Sequence, residues 1–208
     1  MRTETEARYY HINRVVAWSS FPKISVGSVI DVGGVSNPYF AFFENYKKAY
    51  PVNQPDGTVI EVPGAHFLRA ANTGEINSPE LPKIATDFAQ HTVTFLRELI
   101  WEDVRRREFP HLPSRQRCIW LISTIEGVRY WLGRMGNPED FQVIEATVQG
   151  RLHVASESHL LGEAEPLTVA IQMARQYWLG VVDNLNTQEI IFEGRVKVEA
   201  IVNKDEYA

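Results

Sequence analysis

The stretch from Glu189 to Val202 reads EIIFEGRVKVEAIV and is rich in the aliphatic and aromatic residues that favour β-strands. The Glu193-Gly194 step divides it, and a two-residue step of this kind is typical of a tight hairpin. We therefore predict two terminal strands, Glu189–Phe192 and Arg195–Val202, paired through that turn. The rest of the chain has to supply the sheet that they join.

Earlier segments of the chain also predict strands. The apolar run Cys118–Ile122 is nearly continuous, which is typical of a strand covered on both faces. The Asp56-Gly57 pair signals a turn in front of another short strand. The remaining strand candidates contain aromatic or β-branched residues: a segment from Tyr9, Ile24–Ile30, Val59–Val62, and Phe141–Val148, which we expect Gly150 to end.

Helical segments separate these strands. Asn37-Pro38 is a suitable start for an aromatic helix over Tyr39–Tyr50, and residues 51–77 have an irregular pattern. Three further helices are predicted from apolar spacing and capping residues: Ser78–Phe109, one that opens at Ser123, and Pro166–Leu179 with Gly180 as its stop. Mixed elements without regular βαβ alternation predict an α+β domain.

The composition excludes several classes of protein. One cysteine, Cys118, in 208 residues leaves no disulfide framework, and with six scattered histidines we expect no metal site. A net charge of −5 argues against a strong non-specific grip on nucleic acid. No apolar run approaches the roughly 18 residues of a membrane helix. The charged amino terminus predicts no secretory signal, so we expect a cytoplasmic protein with no membrane partner.

Three polar residues stand out from their surroundings: His11 in the first strand, Arg115 before the apolar run, and Glu189 at the start of the terminal stretch. Each also has an ordinary structural interpretation. His11 fits a hydrogen-bonded strand residue, Arg115 a partner of Glu102 or Glu108, and Glu189 the solvent face of a half-buried strand. The charged run 102–108 fits a self-paired helix face.

Taken together, these residues resemble the His-Tyr-Glu branch of the ADP-ribosyltransferase superfamily. The first strand carries Tyr10-His11-Ile12-Asn13, the segment after it ends in Ile24-Ser25-Val26-Gly27, and Gln188–Val198 is similar to the strand-Gly-strand ending that carries the family's catalytic glutamate. The chain also looks like an uncharacterised bacterial domain-of-unknown-function family with Tyr-His, Asn-Pro-Tyr-Phe and Pro-Ser-Arg blocks.

The resemblance implies a fold and a reaction. The fold would be a single domain over residues 1–208, with a split, bent β-sheet core and a mostly helical insertion at 38–110. The co-substrate would be NAD, and Glu189 would be the catalytic carboxylate. A fixed carboxylate stabilises the positive charge that develops on the ribose when the bond to nicotinamide breaks.

The resemblance also implies a set of NAD-binding residues. His11 would hydrogen-bond the adenosine-side ribose, and Arg115 with Ser114 would grip the pyrophosphate. An aromatic side chain would stack on the cationic nicotinamide ring, and Trp120 and Trp131 have the eleven-residue spacing of the family's aromatic pair. The whole set comprises His11, Asn13, Ser114, Arg115, Trp120, Tyr130 and Trp131.

The predicted activity is mono-ADP-ribosyl transfer from NAD to a macromolecule. Thr187 replaces the first glutamate of the Glu-x-Glu pair found in arginine-modifying members, which leaves a nucleic acid or another protein side chain as acceptor. The basic cluster Arg105–Arg107 weakly favours nucleic acid as the acceptor. The family would imply a toxin or antiviral effector that an antitoxin protein inhibits. The alternatives are an NAD hydrolase and a non-catalytic module that binds a partner through the two helices of the insertion.

Overall fold

The structure is a computed structural model that describes residues 2–3, 7–15, 23–136, 140–160, 162–182 and 188–207. Its strands are β1 (Arg2–Thr3), β2 (Arg8–Arg14), β3 (Val29–Val32), β4 (Ala49–Asn53), β5 (Val59–Pro63), β6 (Ile119–Leu121), β7 (Phe141–Ser156) and β8 (Gln188–Ile201). Its α-helices are α1 (Pro38–Asn45), α2 (Gly64–Asn72), α3 (Leu81–Glu108), α4 (Ile125–Arg134) and α5 (Leu167–Leu179). All strand pairs are antiparallel, so the predicted α+β class is confirmed.

The terminal stretch forms one strand, and the predicted hairpin at Glu193-Gly194 is wrong. Strand β8 runs antiparallel to β7 from Gln188 to Ile201, with Gly194 directly opposite Gly150. A Cβ atom on Gly150 would lie 2.2 Å from the carbonyl oxygen of Glu193. One on Gly194, whose φ is +139°, would lie 2.4 Å from the carbonyl oxygen of Gln149. The glycines therefore let two long strands approach closely, and neither ends a strand.

Four strands close into a ring. Strand β2 pairs with β7, β7 with β8, and β8 with β6. The ring closes between β6 and β2, where Tyr10 and Ile122 exchange two backbone hydrogen bonds of 2.8 Å. Apolar side chains fill its interior: Tyr9, Leu121, Ala146, Val148, Ile190, Phe192 and Val196. Strand β3 extends the sheet beyond β8, and β1 pairs with β7.

Helices cover the outer face of this ring. Helices α3 and α5 pack on it through Trp101, Tyr177 and Trp178, which surround Ile191 of β8. Helix α4 packs against the other end of the sheet, where Val128 and Leu132 contact Val143. Residues that alternate along β8 therefore point in opposite directions: Ile190 and Phe192 face the ring interior, whereas Glu189, Ile191 and Glu193 face α3 and α5.

Residues 38–110 contain more strand than predicted. The segment expected to be irregular holds the β4–β5 hairpin, which turns at Asp56-Gly57, and the helix α2. Helix α1 ends at Asn45, because the chain enters β4 at Ala49. Phe43 of α1 stacks on Phe95 of α3 with ring centroids 5.4 Å apart, which packs α1 against the long helix.

Two other expectations have clear outcomes. Helix α5 ends as predicted at Gly180, whose φ of +74° is the left-handed conformation that a helix stop needs. Among the described residues, no helix has both the length and the apolar character that crossing a bilayer requires.

Candidate functional site

The segment Ser114-Arg115 is held between helix α3 and strand β8 by four carboxylates. Glu98 and Glu102 lie one turn apart on α3, and Glu189 and Glu193 lie on one face of β8. Arg115 joins Glu98 to Glu189, and Ser114 joins Glu102 to Glu193. We call the set of Arg115, Glu98 and Glu189 the Arg115 rung, and the set of Ser114, Glu102 and Glu193 the Ser114 rung. All six residues are buried, so this segment fixes α3 against the sheet.

In the Arg115 rung, one guanidinium binds two carboxylates. Its Nε and Nη2 atoms donate to the two oxygens of Glu98 at 3.0 and 3.1 Å, and Nη1 donates to Oε2 of Glu189. Arg97 adds a second cation on Glu98 at 3.0 Å. Two arginines thus balance two carboxylates, which is the condition for keeping such charges away from water.

Two further donors fix the Glu189 carboxylate. The hydroxyl of Tyr177 donates to Oε2 at 2.5 Å, and the indole Nε1 of Trp120 donates to Oε1 at 2.9 Å. Together with Arg115, donors from α5, β6 and the segment before β6 therefore hold a carboxylate that is only 7% exposed.

Aromatic rings surround the ion pair. The Arg115 guanidinium lies 5.1 Å from the ring centroid of Tyr177 and 5.9 Å from that of Trp120, within the range of cation–π attraction. Tyr39 of α1 contacts the Trp120 ring edge-to-face at 5.7 Å and is 37% exposed. The carboxylate thus has buried neighbours on its Arg115 and Tyr177 side, and partly exposed aromatic rings on its Trp120 side.

Burial and neighbouring charges shift the pKa values of Glu98, Arg115 and Tyr177. Burial alone would raise the pKa of Glu98, but Arg115 and Arg97 hold it below its usual value. Burial would also lower the pKa of Arg115, yet Glu189 and Glu98 keep it well above the ordinary arginine value. Burial raises the pKa of Tyr177 well above that of a free phenol, so its hydroxyl stays protonated and remains a donor.

The Ser114 rung has a similar plan without the aromatic rings. The hydroxyl of Ser114 donates to Glu102 at 2.8 Å, and its backbone N–H donates to Glu193 at 2.8 Å. Arg105 is bidentate on Glu102, and Arg151 donates to Glu193 at 2.5 Å. Glu193 is as buried as Glu189, at 7% exposure, so the two rungs form a matched pair for experiment.

The structure brings together several residues predicted to form the site. Arg115, Trp120 and Glu189 are in direct contact. The indole of Trp131 donates to the backbone carbonyl of Gln188 at 3.3 Å, so a second tryptophan lies beside the start of β8. The Tyr130 ring contacts the Trp131 ring edge-to-face, with ring centroids 5.5 Å apart, and the Tyr130 hydroxyl donates to Glu157.

His11 and Asn13 are not part of this cluster. His11 shares the strand face of Tyr9, which points into the ring, whereas Glu189 lies on the outer face. The Nδ1 atom of the His11 ring donates to the carbonyl of Trp120 at 2.8 Å. Asn13 donates to Gln142 at 3.3 Å, one strand away. The expectation that His11 and Glu189 face one cleft is therefore not met.

The structure also gives Arg115 and Ser114 a different role from the predicted grip on pyrophosphate. Arg115 is 3% exposed and Ser114 is 1% exposed, and their donors are used by protein carboxylates. The basic cluster near the site is likewise paired. Arg105 and Arg106 both bind Glu102, and Arg107 binds Asp103. Neither observation favours a phosphate or nucleic-acid contact at these residues.

Sequence reasoning missed three residues of the cluster: Tyr39, Glu98 and Tyr177. Tyr39 was assigned only to an aromatic helix, and Tyr177 lies within an amphipathic helix where an aromatic residue predicts core packing. Glu98 had one usable signal, because it lies three residues before Trp101 and therefore on the same face of the helix, the face that is buried. A charge at such a position requires a buried partner.

The residues that the structure describes contain no group of three or more histidine, cysteine, aspartate or glutamate side chains that could hold an ion. Cys118 is 2% exposed, and burial raises the pKa of its thiol well above the usual value, so it packs as a small apolar residue. Thr187, which replaces the first glutamate of the Glu-x-Glu pair, lies outside the described residues.

In the comparison with known proteins, the model of a protein family of unknown function, DUF2441, matches residues 9–204, which is nearly the whole chain. No curated protein matches the chain.

Proposed function

We propose a function for this chain from its own geometry, because it belongs to the DUF2441 family, whose function is unknown. We propose that it is a mono-ADP-ribosyltransferase that moves ADP-ribose from NAD to a macromolecular acceptor, with Glu189 as the catalytic carboxylate. The observation that carries the proposal is the fixed orientation of the Glu189 carboxylate. Arg115, Tyr177 and Trp120 orient its carboxylate before any substrate binds, beside partly exposed aromatic rings.

This arrangement fits the charge that the reaction develops. The bond between nicotinamide and C1′ of the ribose breaks, and nicotinamide leaves with the bonding electron pair. The acceptor atom then bonds to C1′ and releases a proton. A carboxylate that is already oriented stabilises the oxocarbenium-like ribose without reorganisation, and such preorganised groups contribute about 3–4 kcal/mol to a transition state.

Contacts of two tryptophans support the same reaction. The Trp120 indole N–H donates to the Glu189 carboxylate, and the Trp131 indole N–H donates to the backbone carbonyl of the adjoining Gln188. A cationic nicotinamide would stack on the partly exposed Trp120 ring beside the carboxylate. The proposal does not use His11, Ser114 or Arg115 as ligands of NAD.

The first test compares Glu189→Gln with Glu193→Gln. Release of nicotinamide from NAD is measured for each purified protein, with and without bacterial RNA, DNA or protein extract. We expect Glu189→Gln to reduce release about 100-fold or more, because the charge that stabilises the ribose is lost. Glu193→Gln changes an equally buried carboxylate on the same strand face and should keep wild-type release.

The outcomes separate the candidate functions. Release that needs both Glu189 and one added fraction supports transfer and identifies the class of acceptor. Release without any added macromolecule indicates an NAD hydrolase, in which water is the acceptor. Equal loss in both variants would contradict a catalytic role for Glu189, and so would wild-type release by Glu189→Gln.

A non-catalytic binding module is the alternative that one observation favours. The Glu189 carboxylate accepts three hydrogen bonds from buried or half-buried donors, and the same network would join α3, α5 and β8 without any substrate. A wild-type protein that neither releases nicotinamide in any mixture nor binds NAD by calorimetry would support this alternative.

A further inference from the structure

The two oxygens of the Glu189 carboxylate have different surroundings. Oε2 is bound by Arg115 and by Tyr177, which are 3% and 0% exposed. Oε1 is bound by the indole of Trp120, which is partly exposed and is covered by the more exposed Tyr39. The carboxylate is therefore anchored through one oxygen and presented through the other.

Tyr177 is the neutral member of the anchor. Its hydroxyl accepts a hydrogen bond from Nη1 of Arg115 at 2.8 Å and donates its only proton to Oε2 at 2.5 Å. Its ring is fixed by edge-to-face contacts with Trp178 at 4.9 Å and with His153 at 5.7 Å. A hydroxyl on a ring that is held so firmly defines where Oε2 can lie.

We propose that Tyr177 is a positioning residue for Glu189, which holds Oε2 inside the protein so that Oε1 is the oxygen presented to the ribose. The inference rests on the proposed function. It deepens that proposal, because it assigns the two carboxylate oxygens separate tasks and adds a residue that touches no substrate. Arg115 supplies the charge of the anchor, and Tyr177 supplies its direction.

The test removes the hydroxyl and leaves the ring. Tyr177→Phe keeps the contacts with Trp178 and His153, so we expect it to fold. We expect kcat for nicotinamide release to fall about 10- to 100-fold, the usual effect of losing one hydrogen bond to a charged group. KM for NAD should stay within about twofold, because the interaction acts on the transition state. An unchanged kcat would overturn the inference.

Tyr50→Phe is the matched control. Tyr50 is another buried tyrosine, 8% exposed, and its hydroxyl donates to a carboxylate, Asp87, at 2.8 Å in the hairpin region. Removing the Tyr50 hydroxyl deletes the same kind of hydrogen bond, but that bond lies in the hairpin region and does not involve Glu189. We expect wild-type kcat and KM for this variant, and an equal fall in both tyrosine variants would overturn a specific role for Tyr177.

A second measurement does not depend on activity. The indole N–H resonance of Trp120 reports on Oε1 directly, and it can be assigned by its loss in Trp120→Phe. We expect this resonance to shift in Tyr177→Phe and in Glu189→Gln but not in Tyr50→Phe. An unmoved resonance in Tyr177→Phe would overturn the anchoring role. If the wild type releases no nicotinamide, the proposed function fails, and the resonance alone then decides whether Tyr177 holds the carboxylate.

Discussion

At position 115, a buried guanidinium lies between two carboxylates and two aromatic rings. Burying such charges requires their removal from water, and apolar residues of similar size often stabilise a protein at least as well. Stability is therefore a weak reason for an arginine here. The orientation of its partners is a better reason, because the planar fork of donors fixes the carboxylates of both Glu98 and Glu189 in one geometry.

Single buried histidine side chains make the free energy of unfolding depend on pH. Burial lowers the pKa of His11 and of His153, and the hydrogen bonds to the carbonyls of Trp120 and Tyr177 only partly offset it. Both imidazoles are therefore neutral in the folded protein near pH 7. The unfolded chain binds protons more readily, so the free energy of unfolding should fall as pH drops below about 6.5.

Urea unfolding at pH 7.5 and at pH 5.5 measures this effect. The expected loss is up to about 1.4 kcal/mol per pH unit for each histidine within the window. The double variant His11→Gln/His153→Gln should lose the part of the dependence that these two residues contribute, and His91, whose pKa burial also lowers, should keep its own part. The pKa of Glu98 and that of Glu102 are lowered, so these groups lose their contribution only as pH falls below the ordinary glutamate range. An unchanged slope in the double variant would contradict the assignment.

At the scale of elements, Asn37 connects the start of α1 to the segment that carries Arg115. Its Oδ1 caps the helix by accepting from the N–H of Phe40 at 2.9 Å. Its Nδ2 donates to the carbonyls of Arg115 at 2.7 Å and Cys118 at 3.1 Å. One buried side chain thus fixes both Tyr39 of the helix and the backbone of the Arg115 rung.

Asn37→Asp separates these two tasks. The aspartate keeps an oxygen for the cap but places its second oxygen against two carbonyls, which leaves them unpaired and repels them. We expect a loss of about 3 kcal/mol in the free energy of unfolding, which a chemical denaturation curve would measure. Asn37→Ser also keeps the cap and should cost less, because it adds no repulsion. Equal values for the two variants would show that repulsion between the aspartate and the two carbonyls contributes little.

Local sequence signals predict the end of a helix best where a particular residue type is needed at that end. Gly180 ends α5 because a residue with positive φ is needed there. Helix α4 is capped one residue later than predicted, because Thr124 and not Ser123 accepts from the N–H of Gly127. The same reasoning failed at Gly194. A glycine that permits a close approach between strands has the same local sequence as one that turns a hairpin, and only the partner, Gly150, distinguishes them.

The site was predictable in part for a related reason. Arg115 and Glu189 are polar residues at the ends of apolar runs, which marks them in the sequence. Their partners Glu98 and Tyr177 come from helices 17 and 62 residues from Arg115 in the chain. A periodic apolar pattern shows which face of a helix is buried, but it does not show which distant charge that face meets.

At the scale of the whole molecule, the facing glycines control how the two longest strands cross. Gly150→Ala would place a methyl group 2.2 Å from the carbonyl oxygen of Glu193, and neither backbone can move without breaking the ladder. We expect a loss of roughly 3 kcal/mol or more in the free energy of unfolding, or failure to fold. Thermal denaturation with circular dichroism checks this.

Gly133→Ala is the matched control for that substitution. Among the described residues, no atom outside its own stretch of helix lies within 4 Å of where its Cβ would be, and the residue is in the last turn of α4. Alanine favours a helix over glycine by about 1 kcal/mol, so this variant should be slightly stabilised. A Gly150→Ala protein as stable as the wild type would show that the strands can separate at their crossing.

The ring of strands also limits how copies of the protein can associate. Each of β2, β6, β7 and β8 has a neighbour on both sides, counting the Tyr10–Ile122 bridge. Within the described part of that sheet, β1 and β3 are the strands with one partner, and unpaired edges are where strands from other chains add. Aggregation by strand addition would therefore begin at β1, β3 or the separate β4–β5 hairpin. The β8–β7 pairing that carries Glu189 would be preserved in the aggregate.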